Sequence, residues 1–168
     1  VEDVIRSLAH LPKTVEFLVL GIGDDEQKLK KIAEIEGVSR RVHFIGHVDH
    51  EKLPKYLHVA DIFVRTSIVE GFGNSFIEAM VAGIPVIATP VGGILDFLYD
   101  PDVNPEHEST GLFCKVRDPH SIAQQVRRLI EKPELAELLR RNAKAMASER
   151  YDWSTIAQSV ESKIFDTI

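Results

Sequence analysis

The spacing of apolar residues changes several times along the chain, and each change marks an element. Val4, Ile5, Leu8 and Ala9 recur at the i, i+1, i+4, i+5 spacing of an amphipathic helix, which Pro12 ends. Residues 15–20 (VEFLVL) are nearly all apolar, which predicts a strand buried on both faces, as in a parallel sheet. Residues 26–36 read as a helix, with Asp24 or Asp25 as its cap and Gly37 closing it. A strand is predicted over 42–45 (VHFI), then a short helix over 51–59 that tolerates Pro54 only in its first turn. Residues 61–65 give a third strand, 75–82 a helix closed by Gly83, 85–88 (PVIA) a buried strand and 111–116 (GLFCKV) the last strand.

Asp118 and Pro119 form an N-cap and first-position pair. Ile122, Ala123, Val126, Leu129 and Ile130 then make one apolar helical face, which Pro133 interrupts. Leu135, Leu138, Leu139 and Met146 mark a further helix, and Ile156, Val160, Ile164 and Phe165 place a terminal helix over 153–168. Residues 99–110 (YDPDVNPEHEST) are polar, acidic and carry two prolines, so they predict a surface loop that either is mobile, the favoured reading, or touches an acceptor or partner. Strands alternate with helices throughout. The expected fold is α/β, a doubly wound parallel sheet with helices on both faces, in one domain over residues 1–168.

Within this pattern one stretch carries chemistry. Residues 70–78, EGFGNSFIE, lie where the third strand turns into the following helix, at the edge where open α/β sheets bind ligands. Gly71 and Gly73 are expected to take positive φ and to let the backbone approach a ligand. A helix starting near Asn74 and Ser75 points free N–H groups and its positive end at the same place, which suits a phosphate or a sugar hydroxyl. Glu78 sits one turn inside, about 6 Å along the axis from Asn74, where its carboxylate can accept two hydrogen bonds from a vicinal diol such as a ribose. Gly92 and Gly93 follow the 85–88 strand and suggest a second close approach to a ligand.

Composition narrows the partners. The 168 residues suffice for one domain, and at 44% hydrophobic they can bury a full core. A net charge of −6 argues against a nucleic-acid partner. No apolar run reaches the roughly 20 residues that span a bilayer, and no leader-like stretch is visible. The single cysteine, Cys114, rules out a disulfide framework within one chain, so a reducing, cytoplasmic location is expected. Its apolar setting reads as a core thiol and not a nucleophile. His43, His47, His50 and His58 cluster in sequence, but no carboxylate pair completes a zinc spacing, so no metal is expected. Gly21-x-Gly23 after a strand is only a weak dinucleotide signal, because no third glycine follows. A receiver-like fold is disfavoured, since no acidic cluster ends the first strand.

Residues 60–93 resemble the donor-binding core of the retaining GT-B glycosyltransferases, which include glycogen synthases, sucrose synthases and bacterial mannosyltransferases. The resemblance rests on Ser67, Glu70, Gly71, Phe72, Gly73, Glu78, Ala79, Met80, Gly83, Pro85 and Val86, with Gly92 and Gly93 beyond, and on two glutamates separated by seven residues. It implies a Rossmann-like C-terminal half that binds a nucleotide-sugar donor and transfers the sugar, with retention, to an acceptor hydroxyl. On this resemblance Glu70 is the catalytic-site carboxylate that binds donor sugar hydroxyls, and Gly71, Phe72, Gly73, Asn74 and Ser75 hold sugar and diphosphate. Glu78 holds the ribose, the backbone at Val48 pairs with the base, and Gly23 stands at the rim of the cleft.

Asp96 stands where the family often has a glutamate, so it is given no role. No cofactor and no metal are implied. The family's first strand, the arginine and lysine that follow it, and the N-terminal acceptor domain have no counterpart in these residues. The expected partner is therefore that acceptor domain, through which alone any peripheral membrane contact is expected. The other reading left open is a non-catalytic nucleotide- or sugar-binding module that needs a partner chain.

Overall fold

The computed structural model describes residues 1–151. The expected terminal helix over 153–168 lies outside the described residues. In chain order the elements are α1 (Glu2–Ser7), β1 (Phe17–Leu20), α2 (Glu26–Ile35), β2 (Val42–Gly46), α3 (Leu53–Val59), β3 (Phe63–Arg65), α4 (Asn74–Val81), β4 (Val86–Ala88), β5 (Leu112–Phe113), α5 (Pro119–Glu131) and α6 (Pro133–Arg150). Short 3-10 turns at Leu8–His10, Ser39–Arg41, His50–Lys52 and Gly92–Asp96 fill connections.

Among the described residues the strand ladders are parallel, with one isolated antiparallel bridge between Gly21 and Gly46. β1 pairs with β2, Phe17 opposite Val42. β4 lies between β3 and β5, with Phe63 opposite Val86 and Ile87 opposite Leu112. Successive residues on a strand point to opposite faces, and the core divides accordingly. Ile87, Leu112 and Val64 pack with α1, α2 and α5 residues such as Ile5, Ile32 and Ile122. Val86, Ala88, Phe113 and Phe63 pack on the other side with Phe76 and Met80 of α4 and Ala143 of α6. Helices thus cover both faces, as the alternation predicts. This is why Val86, Ile87 and Ala88 are all buried although they alternate in direction.

The expectation for residues 15–20 is corrected. Val15 and Glu16 precede the strand, and Leu18 is 36% exposed. Among the described residues β1 has β2 as its only partner and β3 has only β4, so each keeps one unpaired edge. An apolar run reads as doubly buried only when neighbours flank it on both sides.

Caps separate the two predicted aspartates. Asp118 is extended at φ −128°, ψ 92°, and its carboxylate accepts from Ser121 N at 3.0 Å. Asp25 already has helical dihedrals, φ −78° and ψ −4°, so its side chain makes no capping bond. Gly37 and Gly83 close their helices at φ +68° and +76°, as expected. On α5 the buried stripe comprises Ile122, Ala123, Val126 and Leu129 but leaves Ile130 exposed.

Residues 99–110 are tied to the domain, against the expectation of a mobile loop. Asp100 is buried and accepts from Phe113 N at 2.6 Å and Asp102 N at 2.8 Å. Thr110 Oγ1 donates to Phe97 O at 2.8 Å and accepts from Tyr99 N at 2.9 Å. Asp102 takes both Arg128 guanidinium nitrogens, at 2.6 and 3.1 Å. Asn142 reaches across from α6 to Ser109 O at 3.2 Å.

Candidate functional site

The site forms at the carboxyl ends of β3 and β4. Arg65 is the last residue of β3, and the chain then turns through residues 66–73 into α4. The turn is fixed from below by Thr89, fully buried at the end of β4, whose hydroxyl donates to Ser67 O at 2.6 Å. It is fixed from the side by the Gly92–Gly93 pair. Gly93 N donates to Gly71 O at 3.0 Å. A Cβ on Gly92 would lie 2.0 Å from Glu70 O, and one on Gly93 2.1 Å from Gly71 O. The pair lets two backbone segments meet, a reason for both glycines that lies within the protein itself.

The motif glycines differ from each other. Gly73 takes φ +82° and serves as the N-cap of α4. A side chain there would meet the Phe76 ring at 2.7 Å. Gly71 does not take positive φ, contrary to expectation, and faces open space. Among the described residues no side chain caps α4, so its first-turn amides at Asn74 and Ser75 have no capping acceptor there. The Phe72 ring turns back against Tyr151 and Phe97, with centroids 5.4 and 6.2 Å away, while the residue stays 47% exposed.

Glu70 is the best-held carboxylate of the turn. Its Oε2 accepts from Ser67 Oγ at 3.0 Å and pairs with Arg65 Nη2 at 3.1 Å, and its side chain is only 13% exposed. Arg65 Nη1 donates to Ser75 Oγ at 2.8 Å, and the guanidinium lies 5.8 Å from the Phe76 ring centroid. Arg65 therefore joins the residue before the turn to the helix after it. From the sequence alone Arg65 receives no role. The available signal was a lone arginine closing the otherwise apolar run IFVR.

Glu78 lies one turn inside α4, partly exposed, with His50 Nδ1 at 3.9 Å. His50 brings the exit of β2 to α4. That exit includes Val48 and is fixed by Gly21 N donating to Gly46 O at 2.8 Å and by Lys52 on Asp49 at 2.6 Å. The structure thus joins Glu70 and Ser75 through Arg65, and places His50, two residues beyond Val48, 3.9 Å from Glu78. Gly23 stands apart. It lines a cavity of about 360 Å³ with Val1, Leu20, Leu29 and Phe44, among which no residue of the 70–78 stretch appears.

At the edge of that cavity Glu2 carries Lys28 at 3.0 Å and Arg6 at 3.2 Å, and Lys28 followed by Arg6 holds its carboxyl below the ordinary range. Cys114 is buried, its Sγ donating to Ala88 O at 3.4 Å, and burial pushes the thiol up to about 12. It is a core thiol, as read from its setting. Among the described residues no three His, Cys, Asp or Glu side chains converge as a metal site. No described helix is long and apolar enough to cross a membrane.

Comparison with known proteins gives a consistent result. The family model described as Glycosyl transferases group 1 matches residues 1–146. An uncharacterized glycosyltransferase of Methanocaldococcus jannaschii is 32% identical over 163 residues, 94% of this chain and 39% of that protein. Glycogen synthase of Mycobacterium tuberculosis is 32% identical over 160 residues, 94% of this chain and 37% of the enzyme. The chain spans about two fifths of the length of these relatives. Among solved structures, Anabaena HepE in complex with UDP superposes with a TM-score of 0.86 at 25% identity, over 99% of this chain and 44% of that one.

Proposed function

The chain belongs to the group 1 glycosyl transferases, and on that premise we propose that it is the donor half of an enzyme moving a sugar from a nucleotide-sugar to an acceptor hydroxyl, with retention. The observation that carries this reading is the joint at the carboxyl edge, where Arg65 holds Glu70 and Ser75 beside the uncapped start of α4. Glu70 accepts hydroxyls of the donor sugar. The amides of the Gly71–Ser75 stretch and the positive end of α4 take the diphosphate. Glu78 accepts the ribose diol, the backbone at Val48 pairs with the base, and Gly23 lies at the outer rim. Charge developing on the leaving diphosphate is met by fixed dipoles and cations, chemistry that requires no metal.

Two organisational features belong to the same reading. A parallel strand lying between the free edges of β1 and β3 would make one sheet of the two. A second domain would face the carboxyl edge and supply the acceptor together with further cations for the diphosphate. The share of the relatives' length that the chain spans supports both.

Titration calorimetry of the 168-residue chain with UDP and UDP-glucose, GDP and GDP-mannose, and ADP and ADP-glucose tests the proposal. HepE was crystallised with UDP and with UDP-glucose, so the uridine pair comes first. Binding of one pair with preference for its base is expected. A chain that binds none of the six would overturn the reading.

A further inference from the structure

We infer that Arg65 is a positioning residue, whose guanidinium fastens Glu70 to Ser75 so that Glu70 presents its other carboxylate oxygen, Oε1, to the donor sugar. The inference rests on the reading of Glu70 given above and adds a residue that nothing in the 70–78 stretch contains. The hydrogen bond that Glu70 accepts from Ser67 Oγ at 3.0 Å and the shortest approach of the Arg65 guanidinium, Nη2 at 3.1 Å, both fall on Oε2. Among the described residues Oε1 accepts nothing. A carboxylate with one oxygen doubly occupied and the other open has its free lone pairs aimed in one direction. That is what recognition of a sugar hydroxyl requires.

The guanidinium itself is fixed at more than one point. Nη1 donates to Ser75 Oγ at 2.8 Å, and the plane lies near the Phe76 ring, which is fully buried. Arg65 also grows from β3, hydrogen-bonded in register opposite Ala88 of the buried strand β4. The clamp therefore refers Glu70 to the rigid sheet and to the second residue of α4 at once. Lysine could supply the charge but has no planar fork to reach two acceptors with separate nitrogens.

The experiment is calorimetry on the 168-residue chain with whichever nucleoside diphosphate and sugar-nucleotide pair it binds, using Arg65→Met, Arg65→Lys, Glu70→Ala and the Arg65→Met/Glu70→Ala double variant. Arg65→Met is expected to weaken the sugar nucleotide about tenfold while changing the nucleoside diphosphate by less than about twofold. Arg65→Lys should restore less than half of that loss on a logarithmic scale. In the Glu70→Ala background Arg65→Met should add less than about twofold, because a positioning residue acts through its partner.

Equal losses for both ligands would overturn the inference while leaving the reading of the site intact, since they would put Arg65 on the phosphates or in the fold. Additive losses in the double variant would overturn it as well. Loss of cooperative thermal unfolding in both Arg65 variants would overturn it by making the residue structural. A chain that binds no pair overturns the proposed function, and this inference with it.

Discussion

Two glutamates of one motif have different surroundings, and the roles proposed for them follow that difference. Glu70 is held by Ser67 and Arg65, whereas among the described residues the ion-pair partner of Glu78 is His50, at 3.9 Å, and Glu78 remains partly open on the helix. Glu78→Gln keeps the size and removes the charge. Losing a charged acceptor costs about 1.5–3 kcal/mol, so affinity for the nucleoside diphosphate should fall roughly ten- to a hundredfold. Unchanged affinity in calorimetry would remove Glu78 from the ribose site. Cys114 allows a prediction from titration. Its pKa is raised by burial from about 9 to about 12, so above pH 9 the unfolded chain loses the proton and the folded chain keeps it. The unfolded state then binds fewer protons, and stability falls as pH rises, by about 1.4 kcal/mol per pH unit between the two values. Urea unfolding at pH 8 and pH 10 should show a steeper alkaline loss in the parent than in Cys114→Ala. Parallel losses would mean that the thiol titrates normally in the fold. The motif residues and the inert cysteine were legible because each shows itself by type and neighbours. Arg65 was not, since its role lies in two contacts, five and ten positions further on, that only the folded turn creates.

Elements read best where the signal is local. Pro119 after Asp118, Gly37 and Gly83 mark boundaries through backbone chemistry that needs no partner, and all three stand where the sequence places them. Strands were read too long, as with 61–65 against Phe63–Arg65 and 111–116 against Leu112–Phe113, because a strand lasts only as far as its neighbour pairs with it. The 99–110 segment was misread for the same reason. Its polar residues look solvated in sequence, yet buried Asp100 uses them to bind β5. The Gly92–Gly93 pair shows how one signal carries two meanings, since close approach to a ligand and close approach to another loop demand the same residue. Gly93→Ala discriminates between them. Its Cβ would sit 2.1 Å from the carbonyl of Gly71, and backbone cannot swing aside as a side chain can. Overpacking of this kind costs about 1–3 kcal/mol. The variant should therefore unfold at lower urea and also bind the sugar nucleotide more weakly, because the turn carrying Glu70 has moved. Weaker binding with unchanged stability would return the glycine to the ligand.

At the scale of the molecule the decisive feature is an open carboxyl edge. Ile68 and Val69, directly before Glu70, are 58% and 86% exposed, so the site is floored by the sheet but has no described wall opposite. Among the described residues β1–β2 and β3–β4–β5 are two separate parallel sheets, and β1 and β3 each keep a free edge. In the proposed reaction the leaving diphosphate must be stabilised as its charge develops, and each ~1.4 kcal/mol of that stabilisation is tenfold in rate. The start of α4 contributes dipoles. Arg65, at the start of the turn, is already engaged by Glu70 and Ser75. Water also reaches a donor bound at an open edge, which removes the gain in electrostatic strength that a closed site provides. The 168-residue chain should therefore bind donor without transferring its sugar. A longer polypeptide that adds a strand between β1 and β3 and a domain facing the carboxyl edge should gain transfer. The measurement is release of nucleoside diphosphate from the bound sugar nucleotide, with and without a panel of hydroxyl acceptors. Acceptor-dependent release by the 168-residue chain above the uncatalysed background would show that the groups on this domain complete the site by themselves.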